Sequence, residues 1–305
     1  MRTILEADQI TAQMQRDPAA YVAACEAAFQ AQIDNAAQRI LAEPNRRIIM
    51  LAGPSSSGKT TAAEKLRHSF AAQGRRAWKV SLDDFYREPD TPMLFEDGTP
   101  DYETVYALDL PYLKQCLQQL LSEKRCFLPH FSFSKKQRIN DATELVLEPG
   151  DLVIVEGLHA LNPLFTNQLD ANDLFQIYIS VSTRVTQEND VLLSTHDLRF
   201  LRRMIRDVQF RASPVENTFY LWNGVQKGED RYLFPYRDRA DLRIDSLHAY
   251  EPCAFRDRAI ALLQGVPQDS VYFERANLLQ NKLSMFPSLD ENLIPQPSLL
   301  HEFLG

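Results

Sequence analysis

The chain has 305 residues, 45% of them hydrophobic, and a formal net charge of −8, enough apolar material for one large α/β domain or two small ones. The acidic balance argues against a surface-wide footprint for nucleic acid or anionic lipid, so any anion site has to be local. No apolar run approaches a membrane span, the amino terminus lacks the pattern of a secretory signal, and the four cysteines show neither zinc spacing nor a disulfide framework, so the expectation is a cytoplasmic protein with reduced thiols.

Residues 1–45 read as helical, with Ile10, Met14, Val22, Cys25, Phe29 and Ile33 spaced by three, four or multiples of these, up to Pro44. RRIIMLA (46–52) predicts a short buried strand, TTAAEKLRHSFAAQ (60–73) a helix stopped by Gly74, and RRAWKVSL (75–82) a second strand ending at Asp83 and Asp84. That βαβ order favours a parallel sheet. DLPYLKQCLQQLLSEK (109–124) carries Leu113, Cys116, Leu117, Leu120 and Leu121 on one helical face, and the stretch that follows alternates on both sides of a polar KKQRIND turn, as an antiparallel hairpin does. DLVIVEG (151–157) and LFQIYISV (174–181) are near-continuous apolar runs of the kind found in buried parallel strands. Residues 197–211 predict a strongly basic helix, DLRIDS (241–246) a last strand, and 253–286 a helical pair, after which a proline-rich tail from Pro287 is expected to wrap the surface.

Gly53 to Thr60, GPSSSGKT, matches G-x-x-x-x-G-K-[ST] between a strand and a helix, the context the motif requires. Its glycines let successive N–H groups point inward at phosphate oxygens, and the helix start adds its positive end. Lys59 is expected to reach the β and γ phosphates of a triphosphate and Thr60 to ligate Mg²⁺. Switches, motors and small-molecule kinases share this loop, so the acceptor side decides the reaction.

On that side, Asp83 stands at the end of the second parallel strand, where ligands lie in open α/β sheets. It is read as the base that orients and deprotonates an attacking hydroxyl, with Asp84 as competitor. Glu156 ends the third buried strand and is read as meeting Mg²⁺ through water. Arg199, Arg202, Arg203 and Arg206 share one helical face by the i, i+3, i+4, i+7 rule, and Arg211 follows. Such a face suggests a lid that neutralises polyphosphate by bidentate guanidinium contacts.

LAGPSSSGKTT, LDDFY, VIVEGLHA and RFLRRMIRDVQFR together resemble the uridine kinase and phosphoribulokinase family of P-loop kinases, from about residue 47 to 250. TPDYETVYALDL, LNPLF, STHDLRFLRRMIRD, LFPYRDRADL and the terminal SLLHEFLG resemble a bacterial uridine kinase-like, or nucleoside kinase, branch. The resemblance implies ATP as donor, Mg²⁺, and transfer of the γ-phosphate to a nucleoside 5′-hydroxyl. Carried over by position, Asp83 matches the catalytic aspartate and Tyr86 a substrate-side tyrosine, while Asp101 matches the aspartate on the ribose hydroxyls and Glu156 the Mg²⁺-linked glutamate. Arg203, Arg206 and Arg211 match lid arginines. The nucleotide would be held by Gly53, Pro54, Ser55, Ser56, Ser57, Gly58, Lys59, Thr60, Thr61 and Arg203, and the metal by Thr60, Glu156 and Asp83. In PHFSFSKKQR, Phe131 stands where the family has a base-reading tyrosine and Lys136 where it has a histidine, with Phe133 and Arg138 kept. Losing two hydrogen-bonding groups leaves the identity of the base open.

The expectation is therefore an α/β P-loop NTPase three-layer fold with a central five-stranded parallel sheet, a small antiparallel hairpin subdomain at about 125–148 and an arginine-rich lid at about 197–225. The kinase domain would span 46–250, with a helical extension at 1–45 and carboxy-terminal helices and tail at 251–305 packed on it. The acceptor expected is a small molecule, a pyrimidine nucleoside and uridine first, with neither nucleic acid nor membrane as partner; family members often form homo-oligomers. The alternatives are a kinase of another small alcohol (a sugar phosphate, glycerate or pantothenate-like compound) and an ATP-binding regulator without a small acceptor.

Overall fold

A computed structural model describes residues 4–87, 93–99, 101–132, 135, 137–167 and 169–305. The chain opens with a short strand, β1 (Ile4–Glu6), where a helix was expected, and continues through α1 (Ala7–Arg16) and α2 (Pro18–Leu41). Asp17 accepts from Ala20 N–H at 3.0 Å and Pro18 opens α2, the arrangement that suits a helix start. Then come β2 (Ile48–Ala52), α3 (Lys59–Ala72), β3 (Ala77–Ser81), a 3₁₀ turn at Leu82–Phe85, and α4 (Leu110–Ser122), capped by Asp109 on Tyr112 N–H. β4 (Arg125–Ser132) and β5 (Gln137–Val146) form the antiparallel hairpin, whose second strand takes in the QRIND expected to be turn.

After β6 (Leu152–Glu156), a one-turn α5 (Pro163–Thr166) and β7 (Leu174–Ser180), the chain makes a small hairpin, β8 (Arg184–Gln187) and β9 (Asp190–Leu193). Its turn uses Glu188 and Asn189, both at positive φ, which suits a tight two-residue connection. β1 adds to β8 in parallel, a pairing that no local pattern announces. α6 (Thr195–Arg211) starts on a capping box of Ser194 and Asp197 and is followed by α7 (Val215–Tyr232), β10 (Leu242–Asp245), α8 (Glu251–Gln264), α9 (Phe273–Leu283) and a one-turn α10 (His301–Leu304).

The central sheet has five parallel strands in the order β10-β7-β2-β6-β3. Both faces are covered, and β2 shows it residue by residue: Ile49 and Leu51 enter a core with α2, α3, α6 and α8, while Ile48, Met50 and Ala52 enter a second core with α4 and the hairpin. This is the expected three-layer α/β arrangement. The tail is a correction: Leu299, Leu300, Phe303 and Leu304 are buried in the first core, because their apolar side chains find α6 and α8 rather than solvent. Among the described residues no helix is long and apolar enough to cross a membrane.

Candidate active site

The loop between β2 and α3 has room for backbone and little else. A Cβ on Gly53 would lie 2.2 Å from the Ile179 carbonyl oxygen and 2.6 Å from Ser57 Oγ; Gly58 sits at φ +80°, a conformation that favours glycine. Ser57 N–H closes on Pro54 O at 3.2 Å, whereas the amides of Gly58, Lys59 and Thr60 find no acceptor among the described residues. The buried hydroxyls of Ser56 and Ser57 likewise lack a partner among the described residues. Buried hydroxyls are ordinarily satisfied, so the two serines, with the open amides beside them, fit an anion with several oxygens. Lys59 Nζ donates to Pro54 O at 3.0 Å, folded across its own loop.

Two carboxylates face this cradle from neighbouring strands. Glu156 pairs in register with Leu51 on β2 and Ser81 on β3, and Ser81 Oγ donates to its Oε1 at 2.9 Å. Burial, reinforced by Asp83, pushes the Glu156 carboxyl up to about 7. Asp83 opens to the cleft from the turn after β3; the surrounding walls raise its carboxyl, against the pull of Lys59, Arg211 and Arg206. Two neighbouring carboxyls that their surroundings both raise are a pair that a divalent cation would satisfy, so the donor set fits Mg²⁺. Asp84 points elsewhere: its Oδ1 takes His130 Nδ1 at 3.0 Å and Phe131 N–H at 3.1 Å, tying the turn to the hairpin.

The expected single face of lid arginines divides in two. Arg199 and Arg202 are buried clamps: Arg199 makes a bidentate pair with Glu229 and reaches Ser55 O, and Arg202 makes one with Glu251 and reaches Ser56 O. They hold the loop from behind, because Glu229 and Glu251 await them in the core. Arg203 Nη1 donates to Ser55 Oγ at 2.8 Å, and Arg203, Arg206 and Arg211 all lie within 3.4 Å of the buried Asp207 carboxylate. One aspartate thus gathers three guanidinium groups at the edge of the cleft.

On the acceptor side, Tyr86 shares the cleft with Asp83, Arg203 and Arg211, and burial holds its hydroxyl well above the usual range. Asp101 is buried; its Oδ2 accepts from Tyr232 OH at 2.8 Å, while Oδ1 has no partner among the described residues and can take one more donor. Phe131 is packed inward, its ring 5.7 Å from that of Tyr86. Arg138 stands directly opposite Phe131 across the hairpin, its guanidinium held by Asp109 and Asn140 over the Tyr112 ring. Phe133 and Lys136 lie outside the described residues.

Four further residues enter the site that the sequence reading does not single out, although His159 lies within VIVEGLHA and Glu103 within TPDYETVYALDL. Glu229 accepts from Ser55 N–H at 2.8 Å, Tyr232 orients Asp101, and His159 is buried beside Tyr232 with its imidazole lowered to about 3 by burial, hence neutral. The fourth, Glu103, packs so closely on Gly228 that a Cβ there would lie 2.3 Å from its own. Burial pushes the Glu103 carboxyl up to about 7, against the pull of Arg203. A folded-state value raised above the unfolded one contributes stability that is full below about pH 4.5 and is lost as pH rises through about 7. Glu103→Gln is therefore expected to raise the melting temperature at pH 8 by a few degrees, about 1–2 kcal/mol after discounting for cleft water, with almost no gain at pH 5. Equal gains at both pH values in a thermal melt would rule out the buried carboxylate as their cause.

Comparison with known proteins places these residues in context. A model of the Phosphoribulokinase / Uridine kinase family matches residues 48–251, from the first residue of β2 to the glutamate that holds Arg202. A uridine kinase of Lactobacillus helveticus is 29% identical over 196 residues, covering 64% of this chain and 84% of that protein. One from Halobacterium salinarum is 27% identical over 198 residues, covering 64% and 78%. Among solved structures, a possible uridine kinase from Bacillus stearothermophilus superposes with a TM-score of 0.49 at 22% identity, over 70% of this chain and 97% of that one. A D-glycerate 3-kinase from Cryptococcus neoformans does so with a TM-score of 0.43 at 17% identity, over 65% and 87%.

Proposed function

Since the chain belongs to the phosphoribulokinase/uridine kinase family and is a kinase of that family, a phosphotransferase with an alcohol as acceptor, we propose that it moves the γ-phosphate of ATP to the 5′-hydroxyl of a nucleoside, uridine first. The observation that carries this is the meeting of Asp83, Lys59, Arg206 and Arg211 in one cleft at the carboxyl ends of neighbouring parallel strands. Relatives named uridine kinase support the nucleoside.

In this reading the open amides of Gly58, Lys59 and Thr60 and the Ser56 and Ser57 hydroxyls take phosphate oxygens, and Lys59 leaves Pro54 O to do the same. Thr60 and Glu156, with Asp83 beside them, would hold Mg²⁺, whose charge offsets that of the phosphates. Asp83 accepts the proton of the acceptor hydroxyl as that oxygen bonds to phosphorus and the bond to the β-phosphate oxygen breaks, so ADP leaves. Arg203, Arg206 and Arg211, preset by Asp207, neutralise the charge spread over the transferring group. Tyr86 and the free oxygen of Asp101 position the acceptor, with Asp101 taking a sugar hydroxyl. The domain limits given by the sequence follow the same reading, with the catalytic unit at 46–250.

One observation favours a second acceptor class. Phe131 is buried where a base-reading hydroxyl would be, which weakens base selection and admits another small alcohol, such as glycerate or a pantothenate-like compound. A coupled ADP-release assay with Mg·ATP across nucleosides, sugars, glycerate and pantothenate decides. The expected result is turnover with uridine well above the rest. Turnover with glycerate or pantothenate alone would replace the nucleoside, and ADP release at the same rate without any acceptor would point to a regulator instead.

A further inference from the structure

The last residues of the chain reach the phosphate loop from outside the family-matched span. Leu299 is fully buried, its Cδ1 2.4 Å from where a Cβ on Gly58 would stand. Three residues on, Glu302 Oε2 accepts from Thr61 Oγ1 at 2.7 Å and from Thr61 N–H at 3.3 Å. The segment is anchored on both sides of that contact: Ser298 Oγ sits at 3.2 Å from Tyr250 OH, Leu304 O accepts from Arg258 at 2.7 Å, and the Phe303 ring lies under the Arg202 guanidinium at 5.2 Å. The carboxylate is therefore held at the loop by packed neighbours.

Thr61 is the third residue of α3, so its N–H belongs to the set that a helix leaves without an intrahelical acceptor. Three amides just before it have no acceptor among the described residues, and this fourth one is occupied by a carboxylate from the far end of the chain. The same row of amides is what a loop of this kind offers to a phosphate chain. Two anions cannot share one pair of donors.

We propose that Glu302 is a nucleotide-positioning residue: its carboxylate holds the Thr61 corner of the cradle as a built-in anion, and a bound nucleotide has to displace it or lie against its charge. The carboxy-terminal turn thereby sets how tightly the loop holds phosphate. The inference rests on the P-loop of the preceding subsection being the nucleotide site.

The test is calorimetric titration of ATP, ADP and adenosine into the full-length chain and its Glu302→Gln and Glu302→Asp variants, with steady-state kinetics in parallel. Gln removes the charge at constant size, and Asp withdraws the carboxylate by one methylene, so either folded variant suffices. ATP and ADP are expected to bind roughly 3–10-fold tighter to the Gln variant, by the size of a charged hydrogen bond in a partly exposed setting, and less so to the Asp variant. The gain appears in KM for ATP rather than in kcat, because the lost competitor acts alike on ground and transition states, and adenosine, having no phosphate, shows none. A helix-capping role alone would lower the melting temperature and leave ATP affinity unchanged or weaker, and that result overturns the proposal. Lys59→Ala separates the two levels. If it loses ATP while neither Glu302 variant gains, only the role of Glu302 fails; if it binds ATP like the parent chain, the loop is not the nucleotide site and the proposal falls with it.

Discussion

Asp83→Asn is expected to lower kcat by about 10²–10⁴-fold, the usual contribution of a positioned general base, while ATP affinity stays within roughly threefold of the parent. The asymmetry follows from what Asp83 touches. Its electrostatic partners in the cleft are Lys59, Arg211, Arg206 and Asp84, and Glu156 feels its charge in turn. The amides and hydroxyls proposed to hold phosphate do not involve it, and Thr60 and Glu156 would keep the metal, so removing its charge spares the cradle and takes away the proton acceptor. The pH profile gives a second readout. A base works only when deprotonated, and the carboxyl is raised by its surroundings, so kcat/KM should climb with pH through an apparent value above the ordinary carboxylate range. In the Asn variant that limb should be lost or shifted. Steady-state kinetics and ATP titration check both. If Asp83→Asn lost ATP as severely as Lys59→Ala, Asp83 would belong to the nucleotide grip and another group would be the base.

Much of this site was legible because it is local. The strand, loop and helix around GPSSSGKT occupy consecutive residues, and the conformations demanded of Gly53 and Gly58 are written in their identity. Asp83 and Glu156 could be placed because buried strands end where their apolar runs end, and sheet order then set them side by side. The reading of Asp83 as base and Asp84 as competitor rests on strand position and resemblance, since two consecutive acids in a tight turn differ only in what each meets, and the partners of Asp84 come from His130 and Phe131 in the hairpin.

The arginine helix shows the same limit. Helical spacing predicts one face for Arg199, Arg202, Arg203 and Arg206, but whether each cation meets the cleft or a buried glutamate depends on segments 30 and 49 residues away in sequence. The role of Glu103 is not local either: it sits in a turn, and its close packing depends on the missing Cβ of Gly228 on α7. The tail carries a signal of its own: Leu299, Leu300, Phe303 and Leu304 repeat at helical spacing, which argues for a buried turn rather than a surface strap.

Those buried arginines carry the second large effect. Arg202 and Glu251 are both fully excluded from solvent, joined at 2.6 and 2.7 Å, and Arg202 also donates to Ser246 Oγ and O and to the Ser56 carbonyl of the phosphate loop. Glu251→Ala leaves a guanidinium in the core with its carboxylate gone, an imbalance that costs about 3–5 kcal/mol. The pair itself is a different matter: replacing both partners by apolar residues, as in Arg202→Met with Glu251→Leu, removes the stranded charge and should recover most of the loss. Urea unfolding at constant m-value measures each step, with Arg243→Ala as a control, since its exposed pair with Asp238 is worth under about 1 kcal/mol. ATP affinity discriminates further. The double variant regains stability without regaining the hydrogen bond to Ser56 O, so it should fold well and still hold ATP more weakly than the parent. Parent-like affinity in that variant would mean that Arg202 serves the core alone and the loop keeps its shape without it.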